Sequence, residues 1–517
     1  SFFLIVFTRS LNVGFMVSGL YSTIYSMTKR KLLKDEMSLV PKTVLEFFDV
    51  FTKKGFEIYL IGGAARDILL GNEPVECDLT TSATPEETLE LMKTHEPFYE
   101  NEFGTVMVPV ESNGLKQVYE ITTYRSEKEY SDHRHPDKVE WGKSLEEDVK
   151  RRDFTINTLA IGGKMDDLHL IDFVDGLDDF ENGIIRAVGE ANKRFGEDAL
   201  RMMRAIRFAA LLGFEIEKET LEALSVQSPL LEKVSKERVR DELFKILAST
   251  YPADGMRLLI STGLMKYVIP EVLEAKKVEQ KGHHKLDVLD HMLESLNHCP
   301  ASDPLLRLAT FLHDVGKPAS KKWRCSRCGW VMKEKDLLIG DSLKCPRCEF
   351  ETDTREATTF YGHEVIGARM VEEIGERLKL SKDQIKKLVT LVRWHMFAYQ
   401  PEMTDASIRR FIKRVGKENI NNMMLLRVGD RKGGGSKTTS WRLQELQKRI
   451  GEQLFEPMEV KDLAVNGKDV MKVLKIKPGP KIGSVMNKLF EEVIEDTSKN
   501  TKKYLLSRIK DLGPDSK

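Results

Sequence analysis

The chain is poor in cysteine, has no long apolar run and carries no excess of charge. Only six cysteines occur in 517 residues, too few for the disulfide framework of a small secreted protein. No stretch reaches the roughly 18 apolar residues that a membrane-spanning helix needs, so no membrane partner is expected. Lys plus Arg number 81 and Asp plus Glu number 81, a formal net charge of zero. A uniformly cationic surface is thereby excluded, and any contact with nucleic acid must come from a local basic region. Acids are also missing from the start: none precedes Asp35, whereas Arg9, Lys29, Arg30, Lys31 and Lys34 are basic. This fits a mitochondrial-type presequence, or translated sequence ahead of a start at Met16, Met27 or Met37. The second reading is preferred. Residues 1–36 are therefore set aside as a disordered or non-native extension, and a cytoplasmic location is expected ahead of a mitochondrial one.

What is present asks for several domains, because 517 residues exceed one core. Val44, Leu45, Phe48 and Phe51 recur at helical spacing over residues 41–55. Glu57–Ile61 reads as a buried strand, Gly62-Gly63 as a tight turn and Ala64–Leu70 as a helix start. A strand through Glu76 and Asp78 follows, then strands at Gly104–Val110 and Gln117–Thr123 around an Asn113-Gly114 turn. Residues 124–143 form a long polar loop, a length that is usually functional or disordered. From Ser144 the pattern is largely helical, with Gly196–Leu212 and Ser235–Leu247 strongly amphipathic. The expected fold class is α+β: a small mixed α/β head, then an all-helical neck, body and tail with a zinc-ribbon insert. The boundaries read 37–165 for the head, 166–255 for the neck, 256–450 for the body, 322–356 for the insert and 451–517 for the tail.

Three features of the head suit phosphoryl transfer. Gly62 and Gly63 stand between a strand and a helix, followed by Arg66 and Asp67. Such a pair lets backbone N–H groups approach a triphosphate, with a helix N-terminus behind it. Glu76 and Asp78 lie two apart on a strand and so point the same way. Glu120 lies on a later strand. Three carboxylates on adjacent strands can hold two Mg²⁺ ions, one activating a 3′-hydroxyl and one neutralising the leaving pyrophosphate. Any one motif alone is equally a turn or a solvated strand end. Their order within about sixty residues favours the transfer chemistry.

GGAARD, the acidic pair, TTSATPEE, YEITTYR and EEDVKRRDFTINTLA follow in order, and then IDFVDG, RFGEDALRMMRAIRFAA and SKERVRDELFKIL. Together they resemble the class II transfer RNA nucleotidyltransferases, the CCA-adding type within the polymerase-β-like superfamily, over roughly residues 40–510. The resemblance implies tRNA, CTP and ATP as partners, Mg²⁺ in the head, and a monomer or homodimer. It implies that Arg151, Arg152 and Asp153, with Asn157 close behind, contact the nucleotide together with Gly62, Gly63 and Arg66. Arginine forks suit phosphate, and aspartate suits ribose hydroxyls. It also implies that Asp198 and Arg201 pair with the Watson–Crick edge of the incoming base, with Arg204 one turn on. Spacings of three put these on one helical face. The family's acidic pair is normally two aspartates. Glu76 is one methylene longer, and Mg²⁺ tolerates little geometric error. Asp132, Arg134, His135 and Pro136 resemble the loop that switches addition from C to A. The alternatives are a poly(A) polymerase of the same superfamily and a metal-dependent phosphohydrolase acting on RNA ends.

The second alternative rests on the body. A His313-Asp314 pair on an apolar helix is costly to bury without a metal or polar partner. With His291, His363, His395 and Asp430 it resembles an HD phosphohydrolase site. His291, His313, Asp314 and Asp430 match the core ligands, and His363 and His395 match positions for a second metal of unassigned identity. Such a site activates water against phosphoesters, 2′,3′-cyclic phosphates on RNA ends among them. In the insert, Cys325, Cys328, Cys345 and Cys348 form two CxxC pairs separated by 16 residues. That spacing indicates a structural Zn²⁺ held by four thiolates. A segment of about 35 residues needs such a staple. Arg324, Arg327, Lys344 and Arg347 surround the knuckles. The tail is basic (Lys461, Lys468, Lys472, Lys475, Lys477, Lys481, Lys499, Lys502 and Lys503), and the resemblance implies a grip on the tRNA elbow. A solvated helix face explains these lysines nearly as well.

Overall fold

A phenylalanine stripe organises the first core. In the computed structural model the helix Lys42–Lys53 buries Val44, Phe47, Phe48 and Phe51, one side of a 3.6-residue repeat. It packs with Leu60, Leu79, Val106, Val108 and Ile121 from a sheet. The structure describes residues 27–99, 104–112, 115–128, 138–142, 144–280, 286–332, 342–353, 357–437, 439–457 and 459–512. They divide into two units, one running up to Glu127 and from Val139 to Phe180, the other taking in Lys128, Lys138 and the described residues from Glu181 onward.

The strands of the first unit are β1 (Thr28–Lys31), β2 (Ile58–Ile61), β3 (Asp78–Thr81), β4 (Phe98–Tyr99), β5 (Thr105–Ser112), β6 (Leu115–Thr123), β7 (Arg125–Lys128), β8 (Lys138–Trp141), β9 (Ala160–Lys164) and β10 (Asp167–Asp172). Eight of them form one sheet in the order β1-β10-β9-β2-β3-β6-β5-β4, while β7 and β8 pair separately. β3 and β6 run parallel, with Asp78 opposite Glu120. The other pairings in the sheet are antiparallel.

Three expectations need correction. β1 falls inside the segment set aside as an extension, yet it pairs with β10, Thr28 opposite Asp172. β10 also carries the head sheet past residue 165. Part of the loop expected at 124–143 is the β7–β8 ribbon; Asp132, Arg134, His135 and Pro136 lie outside the described residues, as does the Asn113-Gly114 turn.

The second unit is mainly helical. Its expected helix over Gly196–Leu212 is interrupted: one helix ends at Glu197, Asp198 is extended (φ −140°, ψ 106°), and a second runs from Leu200 to Leu212. The body helices include Val288–Asn297, Pro304–Leu312, His363–Arg377, Lys382–Trp394 and Ile420–Gly433. The insert enters on strand Lys322–Arg324 and leaves on Thr358–Thr359, which pair with each other, Lys322 opposite Thr359. A second small hairpin pairs Ser342–Lys344 with Glu351–Asp353. The tail helices Gly467–Leu474, Pro480–Glu495 and Lys502–Asp511 enclose their own core around Leu489, Phe490, Val493 and Leu505. Among the described residues no helix is long and apolar enough to cross a membrane.

Candidate nucleotide and metal sites

Gly62 leaves β2 with φ 73° and starts the helix Gly63–Leu69, a backbone conformation that glycine adopts without strain. A Cβ at Gly62 would lie 3.8 Å from Arg152 Nη1, and one at Gly63 would lie 3.8 Å from Arg66 Nη2. Two guanidinium groups therefore stand over the glycine turn. Buried Arg66 donates to Asn157 Oδ1. Asn157 Nδ2 donates to Asp153 Oδ1 at 2.9 Å, and the same oxygen accepts the Phe154 backbone N–H at 2.9 Å. Gly62, Gly63, Arg66, Arg152, Asp153 and Asn157, far apart in sequence, thus meet in one place.

Asp148, which the motif reading passed over, holds this cluster in shape. Its Oδ1 accepts from Arg151 Nε at 3.0 Å and Nη2 at 2.6 Å. Its Oδ2 accepts from Arg152 Nε at 3.3 Å and Nη2 at 3.1 Å. The carboxylate is fully buried. Burial opposes its charge, but the two arginines hold its pKa down to about 2. The signal was present in DVKRR: positions i, i+3 and i+4 share one helical face.

The candidate metal-binding acids sit differently. Asp78 and Glu120 are exposed on neighbouring strands. Glu76 is exposed too, but it lies in a bend before β3 and not on the strand, contrary to expectation. Buried Cys77 between them keeps the in–out alternation. Glu76, Asp78 and Glu120 are not among the described groups whose donor atoms all lie within 4.8 Å of one another.

The expected single helical face for Asp198, Arg201 and Arg204 is also corrected. Arg201 and Arg204 lie on the helix Leu200–Leu212, whereas Asp198 stands ahead of it. Asp198 Oδ1 accepts the Leu200 backbone N–H at 3.0 Å, and its Oδ2 accepts from Arg238 Nη2 at 3.1 Å. Arg201 Nη1 donates to Glu197 Oε2 at 2.8 Å, and that oxygen also accepts from Arg194 Nη1 at 2.9 Å. The Glu197 pairs with Arg194 and Arg201 follow helical i,i+3 and i,i+4 spacing, whereas Arg238, 40 residues from Asp198, is a partner that spacing did not reveal.

In the body six residues from five separate segments converge. His291, His313 and Asp430 form one group, and Asp314, His363 and His395 another, each with donor atoms within 4.8 Å of one another. Asp314 joins them. Its Oδ2 is 3.1 Å from His313 Nε2 and 3.4 Å from His291 Nε2. Its Oδ1 is 3.2 Å from His363 Nε2 and 3.7 Å from His395 Nε2. His313, His363 and His395 each direct Nδ1 at a backbone carbonyl, of Thr310, Phe360 and Val392, at 2.7, 2.8 and 2.7 Å. With Nδ1 donating to a carbonyl, Nε2 of each ring faces the cluster, the nitrogen that a metal would take in place of a proton. Gly316 makes the approach possible: a Cβ there would lie 2.2 Å from the His363 carbonyl oxygen. The charges are concentrated. Burial works against ionisation, yet His313 and Lys317 hold Asp314 well below the usual carboxylate range, and His291 and His313 do the same for Asp430. Burial likewise opposes charging of His313, but Asp314 and Asp430 draw its pKa up to about 10. Burial and the neighbouring His313 push His395 down to about 3. Cationic side chains already face both carboxylates, Lys317 Nζ at 2.6 Å from Asp314 Oδ2 and Arg427 Nη1 at 2.6 Å from Asp430 Oδ2, and four imidazoles with two carboxylates are a donor set that could hold a divalent metal.

In the insert, Cys325 and Cys348 Sγ are 3.6 Å apart, as are Cys328 and Cys345, and all four sulfurs lie within 4.8 Å of one another. Tetrahedral Zn–S bonds of about 2.3 Å give S···S edges of about 3.8 Å, so the donor set and its spacing fit zinc. Burial raises the Cys325 pKa, but backbone N–H groups of Cys328 and Arg327 outweigh it and bring the thiol to about 6.

Comparisons with known proteins agree with this layout. Residues 58–186 match the family described as "Poly A polymerase head domain". Residues 352–509 match "tRNA nucleotidyltransferase domain 2". A CCA-adding enzyme of Ligilactobacillus salivarius is 33% identical over 474 residues, covering 91% of this chain and 96% of that protein. One from Levilactobacillus brevis is 32% identical over 460 residues, covering 88% and 94%. The fold resembles the crystal structure of the Bacillus stearothermophilus CCA-adding enzyme in complex with CTP, with a TM-score of 0.64 at 24% identity over 91% of this chain and 96% of that one.

Proposed function

Because the chain belongs to the CCA-adding enzyme family of nucleotidyltransferases, we propose that it completes the 3′ end of transfer RNA by adding C, C and A from CTP and ATP. The observation that carries this reading is the guanidinium cluster over the Gly62-Gly63 turn, braced by Asp148. Arg66, Arg151 and Arg152 bind the triphosphate, and Asp153 with Asn157 receives the ribose. Asp198 and Arg201, held by Arg238 and Glu197, meet the base edge. Glu76, Asp78 and Glu120, an oxygen-only set suited to a hard cation, would hold Mg²⁺, which supplies charge for activating the RNA 3′-hydroxyl and releasing pyrophosphate. Glu76 stands in a bend ahead of β3 and not on the strand itself. The lysines of the tail grip the tRNA body, and the thiol cluster suits a reducing, cytoplasmic setting.

The test is extension of a tRNA ending at the discriminator base, with each nucleotide supplied separately. Two cytidines followed by arrest with CTP alone, and a single adenosine once ATP is added, are expected. A run of adenosines without cytidine would replace this reading with a poly(A) polymerase.

The histidine cluster supports a second activity, a metal-dependent phosphohydrolase of the HD type. His291, His313, Asp314 and Asp430 would hold one divalent ion, and His363 and His395, with Asp314 shared, a second. When bound, such ions supply a water activated against a phosphoester. Lys317, whose Nζ lies 2.6 Å from Asp314 Oδ2, offers a cation to the phosphate. We assign Cys325, Cys328, Cys345 and Cys348 to a structural Zn²⁺ that closes a segment too small for its own core. Hydrolysis of a 2′,3′-cyclic phosphate that is lost in His313→Ala, with CTP addition retained, is the expected result. Absence of hydrolysis and of bound metal in the manganese- or nickel-supplied wild type would end this second reading.

A further inference from the structure

The insert repeats itself. Its two knuckles read Cys325-Ser326-Arg327-Cys328-Gly329-Trp330 and Cys345-Pro346-Arg347-Cys348-Glu349-Phe350, the same Cys-x-Arg-Cys-x-aromatic pattern. The backbone repeats as well: Cys325 N–H donates to the Trp330 carbonyl and Cys345 N–H to the Phe350 carbonyl, both at 2.9 Å. Each knuckle therefore presents one arginine and one aromatic ring at equivalent positions. A core is not what these rings serve, since Trp330 is 46% and Phe350 36% exposed, and nearby Tyr361 is 76% exposed. Arginines already lie against two of them. The Arg347 guanidinium sits 5.7 Å from the Trp330 ring centroid, bridging the two knuckles, and that of Arg324 sits 5.4 Å from the Tyr361 ring. Residues 321–361 hold nine basic and seven acidic side chains, and four of the basic ones, Arg324, Arg327, Lys344 and Arg347, lie within or directly beside the two Cys-x-x-Cys turns.

Exposed rings interleaved with guanidinium groups are the elements that hold unpaired nucleobases and their phosphates. We propose that the knuckle pair is a binding site for single-stranded RNA, in which bases stack on Trp330, Phe350 and Tyr361 while Arg324, Arg327, Lys344 and Arg347 pair with the backbone. Stacking on a ring tolerates any base, so the site is indifferent to sequence. It is separate from the nucleotide-selecting residues and does not depend on the CCA-adding reading.

The test uses the full-length, zinc-loaded protein and a fluorescent 15-nucleotide oligouridine. Anisotropy is recorded for the wild type, for Trp330→Ala/Phe350→Ala and for Arg327→Gln/Arg347→Gln. Zinc content and CTP addition to tRNA serve as controls for the fold and the head. The aromatic pair is expected to weaken oligouridine binding about tenfold or more, with CTP addition unchanged. The arginine pair is expected to lower the slope of log affinity against log salt by about 1.4, two phosphate contacts on a single strand. If the aromatic variant loses zinc, the arginine variant, which leaves the knuckle core intact, decides alone. Unchanged oligouridine affinity and salt slope in variants that retain zinc would overturn the proposal, as would wild-type binding to duplex RNA as tight as to the single strand.

Discussion

In the head, the candidate metal-binding acids Glu76, Asp78 and Glu120 face solvent, and the buried charged residues are Arg66, Asp153, Asp172, Asp179 and Asp148, the last against half-buried Arg151 and Arg152. In the body the arrangement is inverted. Asp314 is 2% exposed, and His291, His313, His363 and His395 close around it. Solvent-facing carboxylates bind a hydrated cation weakly, so a metal there would come and go with each triphosphate. Imidazoles with fixed tautomers around buried carboxylates would keep theirs between turnovers. The head thus gathers guanidinium groups at the turn where an anion is proposed to bind, and the body gathers imidazoles and carboxylates where a cation is proposed.

Substitutions can break this contrast, starting with the largest expected effect. Asp78→Ala should lower nucleotide addition on the order of a hundredfold or more, the scale for losing one electrostatic contact in a transition state. Single-turnover CTP incorporation measures it, and metal content in the body should not change. Asp148→Asn comes next, at about 3 kcal/mol of stability at neutral pH, because two partly buried arginines lose their counter-charge. Denaturant melts would read this directly. The pH dependence has a definite sign. The folded pKa of about 2 lies below the ordinary value near 3.9. The stabilisation is therefore complete above about pH 4 and fades as the pH falls toward 2. The Asn variant should lose that part of the acid-unfolding curve and little else. A smaller effect sharpens the contrast from the body side. After desalting, elemental analysis should find about three ions per chain, one of them zinc, and about one after Asp314→Asn. The smallest belongs to Arg238→Gln, which frees Asp198: discrimination of CTP and ATP against GTP and UTP should relax about fivefold, near 1 kcal/mol. Equal selectivity in the variant would remove Arg238 from the site.

Much of this was readable beforehand. The strand–Gly62-Gly63–helix unit, the strands carrying Asp78 and Glu120, the CxxC pairs and the histidines on separate helices follow from period, turn chemistry and spacing. What escaped did so for physical reasons. β1, Thr-Lys-Arg-Lys, is a short polar edge strand whose only marker is its partner β10, 136 residues beyond Lys31 at its start, so no local alternation could betray it. The break at Asp198 hides inside an apolar pattern that stays helical on both sides, because the hydrophobic repeat continues through the interruption. Asp148 looked like a helix acid beside two arginines, and only its complete burial shows that it orients them. The sharing of Asp314 between two groups of histidines depends on tertiary packing, including the side-chain-free contact at Gly316, which no spacing rule contains.

The strand pair that opens and closes the cysteine-rich segment has an evolutionary consequence. With Lys322 directly opposite Thr359, entry and exit lie about 5 Å apart. Ordinary tight-turn chemistry could join them with the whole segment excised. The flanking histidine-bearing helices would keep their positions, so the segment behaves as a cassette: lineages could acquire, exchange or discard it without rebuilding the surrounding scaffold.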